Sequence, residues 1–140
     1  ISPPTASKIL FELNKEGLLL IEKDRNYIFY YANKNNKIFI DLSRIYWNLK
    51  LGNLVNFFNK NLINPTIILF GSLSKAETKN DSDIDISIIG HKKELDIKNF
   101  ENNLRRKIQL FFFSSIEDIK NKELANNIIN GYILEGRLRL

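Results

Sequence analysis

The chain has no cysteine, which excludes disulfide frameworks and thiolate zinc sites. Methionine is absent too, even at position 1, and the chain opens on Ile1-Ser2-Pro3-Pro4 with no lead-in. This reads as a truncated N-terminus. No apolar run approaches the roughly 18 residues that a membrane span needs, and no basic-then-apolar signal segment opens the chain. A cytoplasmic location without a membrane partner is the default expectation.

What is present is enough to build a core. Hydrophobic residues make up 44% of the 140 positions and aromatic ones 11%, a composition that argues against disorder. The length suits one compact domain, or a small domain plus a fragment of another. The net charge of +5 is unevenly placed. Residues 1–64 carry nine Lys and Arg against five Asp and Glu, whereas residues 65–140 carry twelve against eleven. A basic first part suits an anionic partner, although many soluble proteins carry as much.

Ser2-Pro3-Pro4-Thr5 reads as a helix start, with Ser2 as N-cap and the prolines in the first turn. Ala6, Ile9, Leu10, Leu13 and Leu18 then lay down a helical stripe, which Gly17 stops. Leu18 to Lys23 leads into a hairpin turned at Asp24-Arg25-Asn26, and Tyr27 to Ala32 returns. A helix followed by Glu-Gly-Leu and a basic-tipped hairpin resembles the second half of a winged helix-turn-helix domain. Ile1 to Leu10 matches its recognition helix and Ile21 to Tyr31 its wing. By that resemblance Ser2, Thr5, Lys8, Lys23 and Arg25 would face DNA. The alternative is an ordinary helix and hairpin. Residues 37–62 read as helical, with one stripe at Ile38, Leu42, Ile45 and Leu49. A second runs through Leu51, Leu54, Val55, Phe58 and Leu62, and Gly52 between the two suggests a break or bend. The expected organisation is thus a partial winged helix over 1–35, a helical connector over 36–64 and a third part over 65–140.

The chemistry concentrates in two stretches. Thr66 to Phe70 is an unbroken apolar run bounded by Pro65 and Gly71, as expected of a buried strand. Gly71 permits close approach of backbone to a ligand. Ser72 offers a hydroxyl and an amide at the start of a short helix, and Lys75 adds a positive charge suited to phosphates. The second stretch is Asp81-Ser82-Asp83-Ile84-Asp85-Ile86-Ser87-Ile88-Ile89. In a strand, Asp83, Asp85 and Ser87 share one face while Ile84, Ile86 and Ile88 enter a core. Two carboxylates on one face repel each other unless a cation sits between them, and Mg²⁺ is held by one or two carboxylates plus substrate phosphates.

Gly71-Ser72-Leu73-Ser74-Lys75-Ala76-Glu77 followed by Asp81-Ser82-Asp83-Ile84-Asp85 resembles the signature of polymerase-β-like nucleotidyltransferases, most closely the minimal nucleotidyltransferases. The likeness runs from about residue 65 to the C-terminus. It continues through a helix at Phe100–Arg106, a strand at Lys107–Ser114, a helical turn at Ser115–Ile119 and a closing helix and strand. It implies an α/β (α+β) fold with a mixed sheet flanked by helices. It also implies Gly71, Ser72 and Lys75 on the triphosphate, and Asp83 and Asp85 as catalytic residues binding Mg²⁺. The implied reaction passes a nucleotidyl group, AMP from ATP or its counterpart from another nucleoside triphosphate, to a hydroxyl. The acceptor implied is a partner protein such as a HEPN-type toxin, which makes this chain antitoxin-like. Two positions depart from the family pattern. Gln109 stands where active members carry a third carboxylate, and Ala76 replaces a usual loop glycine. A Gln neither ionises nor serves as general base, so whether the chain turns over stays open. The second reading is a DNA-binding transcriptional regulator whose nucleotidyltransferase-like domain binds nucleotide without catalysis. His91, Asp81, Lys92-Lys93 and Arg105-Arg106-Lys107 read as surface groups.

Overall fold

The computed structural model describes residues 1–139, which divide into two units, residues 1–42 and 43–139. The first unit opens with helix α1 (Pro3–Lys15). The Ser2 hydroxyl accepts from the Thr5 amide, and proline fills the first helical positions, where its missing N–H costs nothing. The helix ends at Glu16, and Gly17 follows at φ +78°. Strands β1 (Leu19–Asp24) and β2 (Tyr27–Ala32) form an antiparallel hairpin in which Asp24 faces Tyr27 across Arg25-Asn26. Side-chain amides tie the hairpin to the helix end. Asn14 donates to the Leu19 carbonyl, and Asn33 and Asn36 both donate to the Gly17 carbonyl.

Helix α2 (Lys37–Asn61) runs through Gly52 without a break, where the pattern suggested a break or a bend. Nothing lies within 4 Å of where a Gly52 Cβ would be, so no packing demand explains the glycine. Trp47, Leu51, Leu54, Val55 and Phe58 are buried on either side of it. A helical glycine costs about 1 kcal/mol, and each buried Leu or Phe returns roughly 1.5–3 kcal/mol. Burial wins. The first stripe of α2 behaves differently, because Ile38, Leu42, Ile45 and Leu49 are all exposed.

The second unit is built on a four-stranded mixed sheet. Strands β3 (Thr66–Phe70), β4 (Ile84–Ile89), β5 (Ile108–Phe113) and β6 (Tyr132–Glu135) lie in the order β5-β4-β3-β6. β3 is antiparallel to both its neighbours, and β4 runs parallel to β5. Between the strands come a helical turn α3 (Gly71–Ser74), helix α4 (Lys98–Leu104), a 3₁₀ turn at Ile116–Asp118 and helix α5 (Lys122–Ile129). Alternation along β3 and β4 splits the core into two layers. Ile67, Leu69, Ile84, Ile86, Ile88 and Ile108 pack with the buried residues of α2, and Phe100 and Leu104 of α4 flank them. Ile68 and Phe70 face the other way and pack with Ile119 and Ile128, with Phe111 and Phe113 alongside. Gly131 lets the α5–β6 turn press on β3: a Cβ there would lie 2.6 Å from the Leu69 carbonyl oxygen. This architecture is the mixed sheet flanked by helices that the sequence implies.

Candidate functional site

Pairing between the strands sets the site. Phe70, the last residue of β3, lies across from Asp85, and Asp85 in turn lies across from Gln109 on β5. Asp83, Asp85 and Gln109 therefore meet on one face at one end of the sheet. Directly after Phe70 the chain turns at Gly71, at φ +70°. The Asp85 carboxylate occupies the space that a Gly71 Cβ would need, meeting it at Oδ2. Only a glycine accommodates both that backbone angle and that contact. The turn itself is fixed from two sides. The Ser74 hydroxyl donates to the Gly71 carbonyl, and Arg44 Nε donates to the Ser74 carbonyl at 2.8 Å.

The carboxylates differ in surroundings. Gln109 donates its side-chain amide to Asp83 Oδ2 at 2.6 Å. Asp85 has no such donor among the described residues, and burial together with the neighbouring Asp83 charge pushes its pKa above the usual carboxylate value. Two acids share this face, and one of them has no compensating group. That arrangement suits a divalent cation bound by two carboxylates with the rest of its shell from water and phosphate, as Mg²⁺ prefers. Among the described residues no group of three or more His, Cys, Asp or Glu is placed to hold a metal, so no third acid, imidazole or thiol joins Asp83 and Asp85 there.

The loop that delivers Asp83 is held by a residue outside the motif. Arg106 donates to the carbonyl oxygens of Lys79 at 3.0 Å and Ser82 at 2.6 Å. Its guanidinium lies 5.5 Å from the centre of the Trp47 ring, within cation–π range. The Ser82 hydroxyl accepts from the Lys79 amide, which closes the turn just before Asp83. Glu101 accepts from the Ile108 amide where β5 begins. Ala76, in the same loop, sits at φ +57° and is buried. Ser87 continues the face beyond Asp85, fully buried and with no partner for its hydroxyl among the described residues.

The sequence-derived candidates thus fall into groups. Gly71, Asp83, Asp85 and Gln109 come together, with Ser72 next along the turn. Lys75 is exposed, and its ammonium donates to Asn127 of α5 at 3.1 Å. His91 and Asp81 are exposed, as expected. In the first unit, Ser2 and Thr5 share a hydrogen bond of 2.8 Å at the start of α1, while Lys8, Lys23 and Arg25 are exposed. Arg44, Ser74, Arg106 and Glu101 escaped sequence reasoning. Their partners are mostly carbonyls and amides brought close only by the fold, and no spacing advertises such pairs.

The family model for polymerase beta, nucleotidyltransferase matches residues 52–137, from the second half of α2 to the segment after β6. The chain belongs to that family. Among solved structures, one described as a toxin–antitoxin with AMP-PNP is 20% identical in sequence. The likeness covers 64% of this chain and 73% of that chain, at a TM-score of 0.48. No curated protein matches the sequence.

Proposed function

We propose that the chain is a Mg²⁺-dependent nucleotidyltransferase acting on ATP or another nucleoside triphosphate, with a hydroxyl of a partner protein as acceptor. The observation that carries this reading is the meeting of Asp83 and Asp85 on one face beside the Gly71 turn, in a chain of the polymerase-β family. Gly71 and Ser72 would border the triphosphate, with Lys75 adding charge from the exposed side. Asp83 and Asp85 would hold Mg²⁺, which supplies charge neutralisation at the phosphates when bound. The acceptor oxygen forms its bond to the α-phosphorus as the bridging bond to pyrophosphate breaks. Gln109 has no ionisable group and takes no proton, so the proton of the acceptor hydroxyl would pass to Asp83, Asp85 or water. A HEPN-type toxin is the partner that the family resemblance favours, and an antitoxin role in the cytoplasm follows from it. The test is label transfer from α-labelled nucleoside triphosphates with Mg²⁺, alone and with cell extract. Transfer is expected, and its loss is expected when Asp83 and Asp85 are both replaced by Ala. Absence of transfer, or transfer untouched by those replacements, defeats the reading.

A second reading is favoured by one observation. Gln109 occupies the strand position beside Asp85 and uses its amide on Asp83, a placement compatible with nucleotide binding without turnover. In that case the chain is a DNA-binding regulator that senses nucleotide. Ser2, Thr5 and Lys8 on α1, with Lys23 and Arg25 on the hairpin, would meet DNA in the manner of a winged helix. Salt-sensitive DNA binding that responds to nucleotide without product formation supports it.

A further inference from the structure

At the end of the sheet away from the acidic pair, the strands open onto a cleft of about 1000 Å³, within the size range of small-molecule sites. Thr66 pairs with Ile89 there, whereas Phe70 pairs with Asp85, so the two ends lie about 13 Å apart along β4. β4, β5 and β6 all run towards this end, and the residues that follow them, Gly90, Ser114 and Gly136, line the cleft. Crevices outside the carboxyl ends of strands are where open α/β sheets bind ligands. Leu62, Pro65, Ile89 and Leu138 give the cleft apolar walls, and the exposed Arg137 and Arg139 add two cations. The segment that carries these arginines is fixed to the sheet. The Thr66 hydroxyl donates to the Arg137 carbonyl at 2.9 Å, and Leu138 packs with Ile68, Ile119 and Ile128. Gly136 sits at φ +80°, and a Cβ there would lie 2.8 Å from the Pro65 carbonyl oxygen. Among the described residues neither guanidinium has a hydrogen-bond or ion-pair partner. Glu135, the one acid of the lining, accepts instead from the Asn59 side chain at 3.2 Å and the Gly136 amide at 3.3 Å.

We propose that this cleft is a second ligand site, for a small phosphomonoester with an apolar or planar body. Guanidinium groups meet phosphate oxygens bidentately, and two of them match the charge of about −1.5 to −2 that a phosphomonoester carries at pH 7. A carboxylate or a sulfate ester has a single charge and leaves one arginine uncompensated. Ser114 and Asn64, both exposed in the lining, add a hydroxyl and a side-chain amide to the donors. Lys93, whose ammonium donates to the Asn61 carbonyl at 3.1 Å, adds positive charge beside Leu62. Because the backbone of the arginine segment is already pinned, binding orders two side chains and not a loop, which keeps its entropic cost low. The apolar walls accommodate the body of the ester. The cleft shares no residue with the Gly71 turn or the acidic pair, so it stands or falls apart from nucleotidyl transfer.

The experiment titrates the full chain with phenyl phosphate, phenyl sulfate and inorganic phosphate, in EDTA at about pH 8, where the phosphate ester is a dianion. Calorimetry reads the affinity, and amide chemical shifts locate the site. Phenyl phosphate is expected to shift the amides of Gly90, Ser114 and Gly136 and to leave those of Gly71 and Ser72 in place. Phenyl sulfate has the same shape and one charge fewer, and is expected to bind about tenfold more weakly, as for the loss of a charged hydrogen bond. Inorganic phosphate leaves the apolar walls uncovered and is expected to be weaker by about tenfold as well. Arg137→Ala and Arg139→Ala are each expected to cost about tenfold in phenyl phosphate affinity. Lys92→Ala removes an exposed cation outside the lining and is expected to change that affinity by about twofold or less. Both arginines are exposed, and circular dichroism of each variant confirms the fold. A phosphotyrosine peptide is expected to bind no more tightly than phenyl phosphate, and binding about tenfold tighter overturns a small ester in favour of a phosphorylated protein. No binding at millimolar ester, equal affinity for phosphate and sulfate esters, shifts confined to Gly71 and Ser72, or indifference to both arginines each overturns the proposal.

Discussion

At Asp85 two effects act in the same direction. Burial disfavours its charge, and Asp83 adds a like charge nearby, so its pKa lies above the 3.8 of an unperturbed aspartate. A carboxyl that holds its proton more tightly in the folded state than in the unfolded one loses stability as pH rises. The loss begins near 3.8, grows until pH passes the raised folded value, and persists above it. Asp85→Asn removes the ionisation while keeping the shape. In EDTA the variant is expected to melt at a higher temperature than the wild type at pH 7. That gain is expected to shrink as pH is lowered through the folded pKa towards 3.8. A gain that is constant with pH, or a lower melting temperature at pH 7, would contradict the origin assigned to the shift. Much of this residue's setting was readable beforehand, because strand alternation alone puts Asp83 and Asp85 on one face. The resemblance also put Gln109 beside them, but not the hydrogen bond from its amide to Asp83, which depends on side-chain geometry that no spacing shows.

Among the elements, strands were the most legible and long-range anchors the least. β3 runs from Thr66 to Phe70, as the apolar run between Pro65 and Gly71 indicates. α2, read as helical from its pattern, continues through Gly52 without a break, because local propensity is small beside the burial of Leu51 and Leu54 on either side. The anchor of the loop before β4 shows the same limit. Arg105-Arg106-Lys107 looks in sequence like a solvated basic run, yet Arg106 is half-buried and donates to two loop carbonyls. Its neighbour Arg105 is exposed and ends α4 at φ +51°. Arg106→Met keeps most of the stem and removes those hydrogen bonds together with the charge over Trp47. The variant is expected to lose about 1–3 kcal/mol of stability, since bonds from a charged donor are among the stronger ones. Amide exchange at residues 79–83 is expected to speed up, and nucleotide affinity to fall with it, because the loop delivers Asp83. Arg105→Met is expected to leave loop exchange and nucleotide affinity nearly unchanged. Equal effects from the two replacements would show that charge alone, and not the hydrogen bonds to Lys79 and Ser82, holds the loop.

Across the whole molecule, burial is shared unequally between the two units. No residue of 1–42 is buried, and the hairpin exposes Leu20, Tyr27, Ile28, Phe29 and Tyr31. Among the described residues every buried side chain lies in residues 43–139, where α2 and the sheet close on each other. Regions with few buried apolar contacts open at low free-energy cost, whereas core strands exchange only near the global unfolding limit. The amides of β1 and β2 are thus expected to exchange faster than those of β3 and β4, by about two orders of magnitude, equivalent to some 2.7 kcal/mol of local stability. Phe58→Ala sharpens the test. Phe58 is fully buried in the layer that α2 forms with β3 and β4, and such a truncation costs about 3–5 kcal/mol. Exchange in β3 and β4 is expected to accelerate accordingly, while the hairpin, already open through its own fluctuations, keeps its rate. Hydrogen exchange followed by mass spectrometry reads both. If the hairpin proved as protected as β3 and lost that protection in Phe58→Ala, the two units would unfold as one cooperative body, and the division seen in their burial would carry no thermodynamic meaning.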